Sequence, residues 1–298
     1  MSTKFVANAS PPANCRMAIP KKGRLYQKVA DMLKGAGLEY HREDRLDVAL
    51  CKDLPLTLIF LPASDIASYV GEGNVDIGIT GIDCIEESEA CVEKLLDLGV
   101  GKCKLSVQAP AAKNITNPED LAGGRIVTSF PFLTKRFFDP IDEKKGVKTH
   151  VKFVSGSVEA ACGLGLGDAV VDLVETGTTM RAAGLEIVAD VLETQAVLIK
   201  NPQSSHKEMC DLIKRRVEGF ITATRYVMLT YNISVDKLEK ACAITPGKRS
   251  PTITGLDDPN YKSVSSLVLK SELNAKMDAL HDVGATDILA INISNTRM

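Results

Sequence analysis

No stretch of this 298-residue chain is apolar for long enough to span a bilayer, and the opening MSTKFVANASPPANCR lacks the apolar core of a secretory leader. No CxxC pair occurs, and none of the eight cysteines (Cys15, Cys51, Cys84, Cys91, Cys103, Cys162, Cys210, Cys242) has a histidine nearby at metal-ligand spacing. They read as reduced core thiols, mostly inside apolar runs. GxxxxGK[ST] and GxSxG are both missing, which removes a P-loop and a nucleophile elbow. An excess of charge of either sign is missing too: 36 Lys and Arg against 38 Asp and Glu leave a net charge of -2. That balance gives no reason to expect nucleic acid or an anionic membrane as partner. The expectation is a soluble, cytoplasmic protein in which any anion site is local.

What is present is ordinary globular composition, 45% hydrophobic and 25% charged, in a chain long enough for two or three domains. From Arg16 the order is strand MAIP, turn KKGR and helix LYQKVADMLKGAGL, with Leu25, Val29, Met32 and Leu33 on one helical face. LTLIFL, a short helix SDIASYV and VDIGITG follow, and their unbroken apolarity suits strands buried on both faces. From Cys103 a second set of units begins: KLSVQAP, RIVTSFP, a helix with FLTKRFF, VKFVSG, a helix SVEAACGLGL, and AVVDLV. EIVADVL and QAVLIKN read as strands returning to the first lobe. The helix from Ser205 opens on a capping box with Glu208 and carries an apolar stripe through Met209, Leu212, Ile213, Val217, Phe220 and Ile221. After it comes βαββαβ, a ferredoxin-like unit. The expected fold is therefore α/β: lobe I over 1–105, continued by 190–224, lobe II over 106–189, and a small βαββαβ domain over 225–298.

Four polar clusters stand at strand ends or turns. In VVDLVETGTTMRAAGLEIV, Val170 to Val188, a buried strand breaks into Glu-Thr-Gly-Thr-Thr just where a helix begins. Free N–H groups and Thr hydroxyls there suit a phosphate; they equally make an ordinary βα turn, with Thr176 or Thr178 as cap and Gly177 as bend. Lys21-Lys22-Gly23-Arg24 sets cations against a helix dipole, which an anionic ligand explains and a solvated basic turn also permits. Gly78-Ile79-Thr80-Gly81-Ile82-Asp83 ends a buried strand where glycines allow a ligand close to the backbone. Thr128-Ser129 either holds phosphate or caps a helix. Asp172, alternating within AVVDLV, either faces a polar cleft or sits satisfied at a lobe edge, and Glu159 follows Gly156-Ser157 in the first turn of a helix. Carboxylates near a phosphate loop invite magnesium or a ribose diol. His41, His150, His206 and His281 lie outside all four clusters. The residues alone describe a phosphate-ligand α/β protein with a regulatory-looking tail and no visible nucleophile. A two-lobed module that binds or senses a small anion without catalysis is the alternative.

AIPKKGRL, VDIGITGID, VTSFP, KFVSGSVEAA, DLVETGTTMRAAGL and TPGKRSPTITGL, in this order, resemble the long form of the ATP phosphoribosyltransferase family from Arg16 to the C-terminus. The resemblance implies two lobes like type II periplasmic binding proteins, followed by a regulatory βαββαβ domain of the ACT class. It implies transfer of phosphoribose from 5-phosphoribosyl 1-pyrophosphate (PRPP) to N1 of ATP, with Mg2+, as the first step of histidine biosynthesis. Glu159, Glu175, Thr176, Gly177, Thr178 and Thr179 would bind PRPP, and Asp172 the ribose hydroxyls or the metal. Lys21, Arg24 and Arg45 would act with Asp172 in catalysis, and Lys22, Gly23, Gly81, Asp83, Thr128 and Ser129 would line the nucleotide cleft. L-histidine would inhibit through Asn232, Lys248, Ser250, Thr252 and Asp287 in a hexamer. Adenine N1 has a lone pair and no proton to lose, so this chemistry needs positioning and charge stabilisation more than a base. Near a phosphate the Glu175 side chain is expected to turn away and leave its backbone N–H to the ligand.

Overall fold

The computed structural model describes residues 14–43 and 46–297; Arg45 and the Arg24 side chain lie outside what is described. One compact unit takes the chain up to Ala30 together with Glu39–Asp211, the other Asp31–Leu38 and the chain from Leu212 onward.

The first unit opens with β1 (Cys15–Pro20), α1 (Arg24–Gly35), β2 (Val48–Leu50), β3 (Leu56–Leu61), α2 (Ala63–Gly71), β4 (Ile77–Gly81), α3 (Ile82–Ser88) and β5 (Glu93–Asp97). β1 lies between β3 and β4, parallel to both, so the carboxyl ends of these strands share one edge. A second sheet follows from β6 (Cys103–Pro110), β7 (Arg125–Thr128), α4 (Pro131–Lys145), β8 (His150–Phe153), β9 (Ala169–Val174), α5 (Thr178–Ala182) and β10 (Leu185–Thr194), in the order β10-β6-β9-β7-β8. β11 (Ala196–Lys200) then inserts antiparallel between β4 and β5 of the first sheet.

Neighbouring residues of the second sheet serve opposite faces. Ile126, Ala169 and Val171 pack in one cluster with Leu133 and Phe138 of α4. Val127 and Val170 pack in another, with Val158 and Met180. Burial on both faces is why these strands read as continuous apolar runs.

Two readings of the sequence are corrected here. EIVADVL does not return to the first sheet: it is β10, an edge strand antiparallel to β6 with two irregularities in register, and only Gln195 separates it from β11. An edge strand and a returning central strand carry similar apolar residues, and pairing alone distinguishes them. SVEAACGLGL is not a continuous helix but a 3₁₀ turn, Val158–Ala160, followed by turns over 161–165 and a bend at Leu166, with Gly163, Gly165 and the next residue but one, Gly167, spaced two apart. Three glycines at alternate positions cost too much backbone entropy for a helix to continue.

The second unit contains most of α6 (Lys207–Arg225), then β12 (Tyr226–Ser234), α7 (Leu238–Ile244), β13 (Thr252–Gly255), β14 (Tyr261–Leu269), α8 (Leu273–Val283) and β15 (Thr286–Asn292). The sheet order is β13-β14-β12-β15, antiparallel throughout, which is the ferredoxin-like arrangement. Along β12 only one face is buried: Val227, Leu229, Tyr231 and Ile233 pack with Ala241, Val264 and Leu280.

Among the described residues no helix is long and apolar enough to cross a membrane. All eight cysteines are free, but only Cys15 and Cys210 are buried outright and Cys91 is exposed.

Candidate active site

β9 ends at Val174, and the chain turns through Glu175, Thr176 and Gly177 into the single turn of α5. Gly177 takes φ of 71°, the left-handed conformation that glycine adopts without penalty. The Thr176 and Thr178 hydroxyls lie 3.0 Å apart in a hydrogen bond, and Arg181 Nη2 donates to the Thr176 carbonyl at 2.8 Å. One carboxylate oxygen of Glu175 is 3.8 Å from Lys28 Nζ.

This turn is the shared wall of two cavities. The larger, about 700 Å³, is lined by Ile82, Lys102, Cys103, Lys104, Arg181 and Glu193 among others. The smaller, about 400 Å³, is lined by Gln108, Glu159, Asp172 and Thr179 among others. Cys103, Glu175, Thr176 and Gly177 line both, whereas Thr178 lines neither.

Asp172 is the electrostatic centre of the smaller cavity. Burial pushes its carboxyl up to about 6, with the Glu159 charge adding to the rise, against the opposing hydrogen bond from the Leu173 N–H at 2.8 Å. Gln108 Nε2 donates to the Asp172 carbonyl at 3.1 Å and holds the strand beneath it. Cys103 is no nucleophile, because burial first and then the Asp83 and Glu175 charges push its thiol up to about 11.

Other residues singled out in the sequence have different occupations. Thr128 is fully buried: its hydroxyl donates to the Val171 carbonyl at 2.7 Å and accepts the Phe130 N–H at 2.9 Å. Ser129 donates to the Val154 carbonyl at 2.7 Å, tying β7 to the end of β8. Both hydroxyls are structural, since a polar group ending an apolar strand must satisfy the backbone there.

Asp83 is buried; its carboxylate accepts the Thr194 hydroxyl, which accepts the Asp83 N–H at 3.1 Å in return. Gly81 is small because a Cβ there would lie 2.0 Å from Asp83 Oδ1, so it makes room for that carboxylate and not for a ligand. Lys21 is an exposed partner of Asp47 at 2.7 Å. Neither Lys21, Lys22 nor Gly23 lines the two cavities, though they follow β1 at the sheet edge where Ile82 enters the larger one.

In the second unit Asn232 Nδ2 donates to Asp287 Oδ2 at 2.9 Å, and Asp287 has φ of 51° at a register irregularity between β12 and β15. Thr252 opens β13 opposite Ser265, with Ser250 just before it. Lys248 lies elsewhere, in a hollow with Arg215, Glu218 and Arg297. The structure therefore joins two of the five residues directly and sets Lys248 apart.

Sequence reasoning missed Arg181, Gln108, Thr194 and Glu87. Glu87 at the end of α3 accepts the N–H groups of Phe132 (2.8 Å) and Leu133 (2.9 Å), the first free donors of α4. A signal existed: FPFL puts no capping side chain before the helix, so its donors had to find one elsewhere.

Two α/β sheets joined by adjacent crossovers, with a polar turn and carboxylates in the cleft and an antiparallel βαββαβ unit after them, define a two-lobed protein of the periplasmic-binding type with an appended small domain. A Listeria monocytogenes structure titled a putative L-cystine ABC transporter shares the lobe fold at a TM-score of 0.51 and 15% identity, covering 70% of this chain and 90% of that one. The profile described as "HisG: ATP phosphoribosyltransferase" matches residues 62–219, and "HisG, C-terminal domain" matches 223–295. The chain belongs to the ATP phosphoribosyltransferase family. It is 50% identical over 283 residues to that enzyme of Yarrowia lipolytica and 49% identical over 285 to that of Saccharomyces cerevisiae; each match covers 94% of this chain and 96% of the relative. The Thermotoga maritima structure titled "ATP phosphoribosyl transferase (HisG:HisZ) complex" matches at 30% identity and a TM-score of 0.58, over 68% of this chain and 98% of that one.

Proposed function

We propose that this enzyme of histidine biosynthesis joins ATP to PRPP by direct displacement at the ribose C1, with the Thr176–Thr179 turn holding the ribose 5-phosphate. The observation that carries the reading is the turn itself: a left-handed glycine and hydroxyls stand between two cavities, one lined by the half-buried Asp172 carboxylate and the other by several cations. Adenine N1 attacks C1 as the bond to pyrophosphate breaks; the nucleophile needs no deprotonation, in keeping with a cleft whose one thiol is held protonated. Asp172 and Glu159 then face the sugar, where positive charge builds. Lys21, Lys22, Arg24 and Arg45 are assigned to the charge of the nucleotide and leaving group.

Asp172 and Glu159 also fit magnesium. They offer hard oxygen donors, and Asp172 is so short of counter-charge that burial and Glu159 hold its carboxyl near 6. Among the described residues no group of three or more His, Cys, Asp and Glu side chains converges; Mg2+ held here would take its remaining ligands from water and substrate phosphates. When bound, the ion offsets negative charge on pyrophosphate oxygens.

The βαββαβ unit is read as a sensor for L-histidine, with the Asn232–Asp287 pair, Thr252 and Ser250 as contacts, in a hexamer; Lys248, in its own hollow with Arg215 and Arg297, is assigned to the same ligand by the resemblance alone. The reaction is placed in the cytoplasm, in keeping with eight free cysteines.

The test is to mix the protein with ATP, PRPP and Mg2+, draw the reaction with pyrophosphatase, follow the absorbance of N1-substituted adenine, and then add L-histidine. Product suppressed by histidine is the expected result. Product with no suppression would remove the sensor reading, and suppression that survives Thr252→Val would overturn the assignment of its contact residues; PRPP binding without product would overturn the catalytic reading. A covalent ribosyl-enzyme trapped in turnover would rule out direct displacement.

A further inference from the structure

The charged side chains on the larger cavity are Lys102, Lys104 and Arg181 with Glu175 and Glu193, and most of them are already engaged. Lys104 Nζ is 2.6 Å from Asp190 and 3.6 Å from Glu193. Arg181 donates to the Thr176 carbonyl at 2.8 Å, and Glu175 is 3.8 Å from Lys28. Lys102 differs: among the described residues nothing accepts a hydrogen bond from its ammonium or pairs with its charge.

Strand register accounts for the difference. β10 runs antiparallel to β6 with Glu193 opposite Lys104 and Thr194 opposite Cys103, so the facing strand supplies Lys104 with a carboxylate. One residue further along each chain stand Lys102 and Gln195, both on the cavity lining, and there the side chain on offer is an uncharged amide. The backbone at this point is anchored: the Val100 carbonyl accepts the Ala196 N–H at 3.0 Å, and Gly101 turns the chain with φ of 67°. A phosphate that reaches Lys104 must compete with two carboxylates, whereas one that reaches Lys102 displaces only water.

We propose that Lys102 is a substrate-binding residue whose ammonium meets the phosphate chain of ATP. This rests on the reading of the cleft as the place where ATP and PRPP react. Ile82, Met180 and Ile187 line the same cavity of about 700 Å³ and suit an adenine ring, so one volume offers an apolar surface for the base and an uncompensated cation for the phosphates. A lysine suits the second part, because its point charge on a flexible stem can follow a phosphate chain without a fixed fork geometry.

The experiment measures kcat and KM for ATP and for PRPP in Lys102→Gln, Lys102→Arg and Lys104→Gln, with melting temperatures to confirm folding. Lys102→Gln is expected to raise KM for ATP about tenfold, the worth of one hydrogen bond to a charged group, with kcat and KM for PRPP within about twofold of the parent. Lys102→Arg keeps the cation and should stay within about threefold, and Lys104→Gln should cost less than Lys102→Gln because its charge is already answered. If Lys102→Arg falls as far as Lys102→Gln, positive charge is not what acts at this position and the proposal fails. It fails equally if Lys104→Gln costs as much, or if KM for PRPP rises in place of KM for ATP or together with it. A parent protein that binds PRPP without forming product removes the catalytic reading and this proposal with it; a parent that turns over while Lys102→Gln matches it removes Lys102 alone.

Discussion

Replacing Glu87 by alanine should destabilise the first unit far more than its place on a surface helix would imply. Helix α4 starts with Pro131, which has no N–H, after Phe130, which has no side chain to cap with. Its first donors, Phe132 and Leu133, are taken at 2.8 and 2.9 Å by the two carboxylate oxygens of Glu87, a residue of the other sheet's helix layer. Alanine strips both bonds and removes a negative charge from the positive end of the helix dipole. At about 1 kcal/mol for each bond and about 0.5 for the dipole, the loss is about 2–3 kcal/mol. That corresponds to a fall in melting temperature of about 5–8 °C for a unit of this size. Glutamine keeps one acceptor oxygen and should lose about half as much. The chain has no tryptophan, so urea unfolding is followed by circular dichroism. Glu86→Ala is the control: its partner Arg136, 3.0 Å away, is an exposed ion-pair partner, and the expected cost is under about 1 kcal/mol. If Glu87→Ala and Glu86→Ala unfold at the same midpoint, water satisfies the start of α4 and the bridge between the layers is energetically empty.

Thr194→Val keeps the shape of the side chain but leaves the buried Asp83 carboxylate and N–H without the hydroxyl that serves both, so urea titration should show a loss of about 2–3 kcal/mol. Asp172→Asn should stabilise the protein and abolish turnover. Because the folded carboxyl titrates at about 6, the native state binds more protons than the unfolded one between about pH 4 and 6, and stability falls as pH rises through that window. The asparagine variant should therefore gain about 2–3 kcal/mol above about pH 6 and nothing below about pH 4; an equal gain at both ends would refute the raised carboxyl. Gly177→Ala forces a left-handed alanine and a contact with Arg181, so KM for PRPP should rise, with about 1–2 kcal/mol lost from stability.

Much of the architecture was legible because burial on two faces and burial on one write different patterns. AVLIK is unbroken since four successive residues, Ala196 to Ile199, are buried, and YVMLTYNIS alternates since one face of its sheet is covered by α7 and α8. What could not be read was pairing. β10 has the composition of a returning strand, and only its register with β6 places it at the edge of the second sheet. The glycines of SVEAACGLGL were visible, yet the acidic and small residues around them fit a helix well enough to conceal the cost.

The site divided along the same line. A turn such as Glu175–Thr179 announces itself because everything it needs is local: a strand end, a left-handed glycine, hydroxyls one and two residues away. Thr128 announced itself in the same way and is structural, because a hydroxyl that holds a phosphate and one that holds a backbone carbonyl stand at the same strand end. The decisive difference is what fills the space opposite. For Thr128 it is the Val171 carbonyl of the neighbouring strand; Thr176 and Gly177 line two cavities, with the Arg181 guanidinium beside them. The residues that went unseen, Arg181, Gln108, Glu87 and Thr194, serve backbone groups or a carboxylate on another segment, from five to 111 positions away. Such partners leave no periodic trace, yet they hold the backbone on which the turn and the start of α4 depend. A substitution at Arg181 or Glu87 therefore tests the three-dimensional argument more sharply than one at any threonine the sequence already advertised.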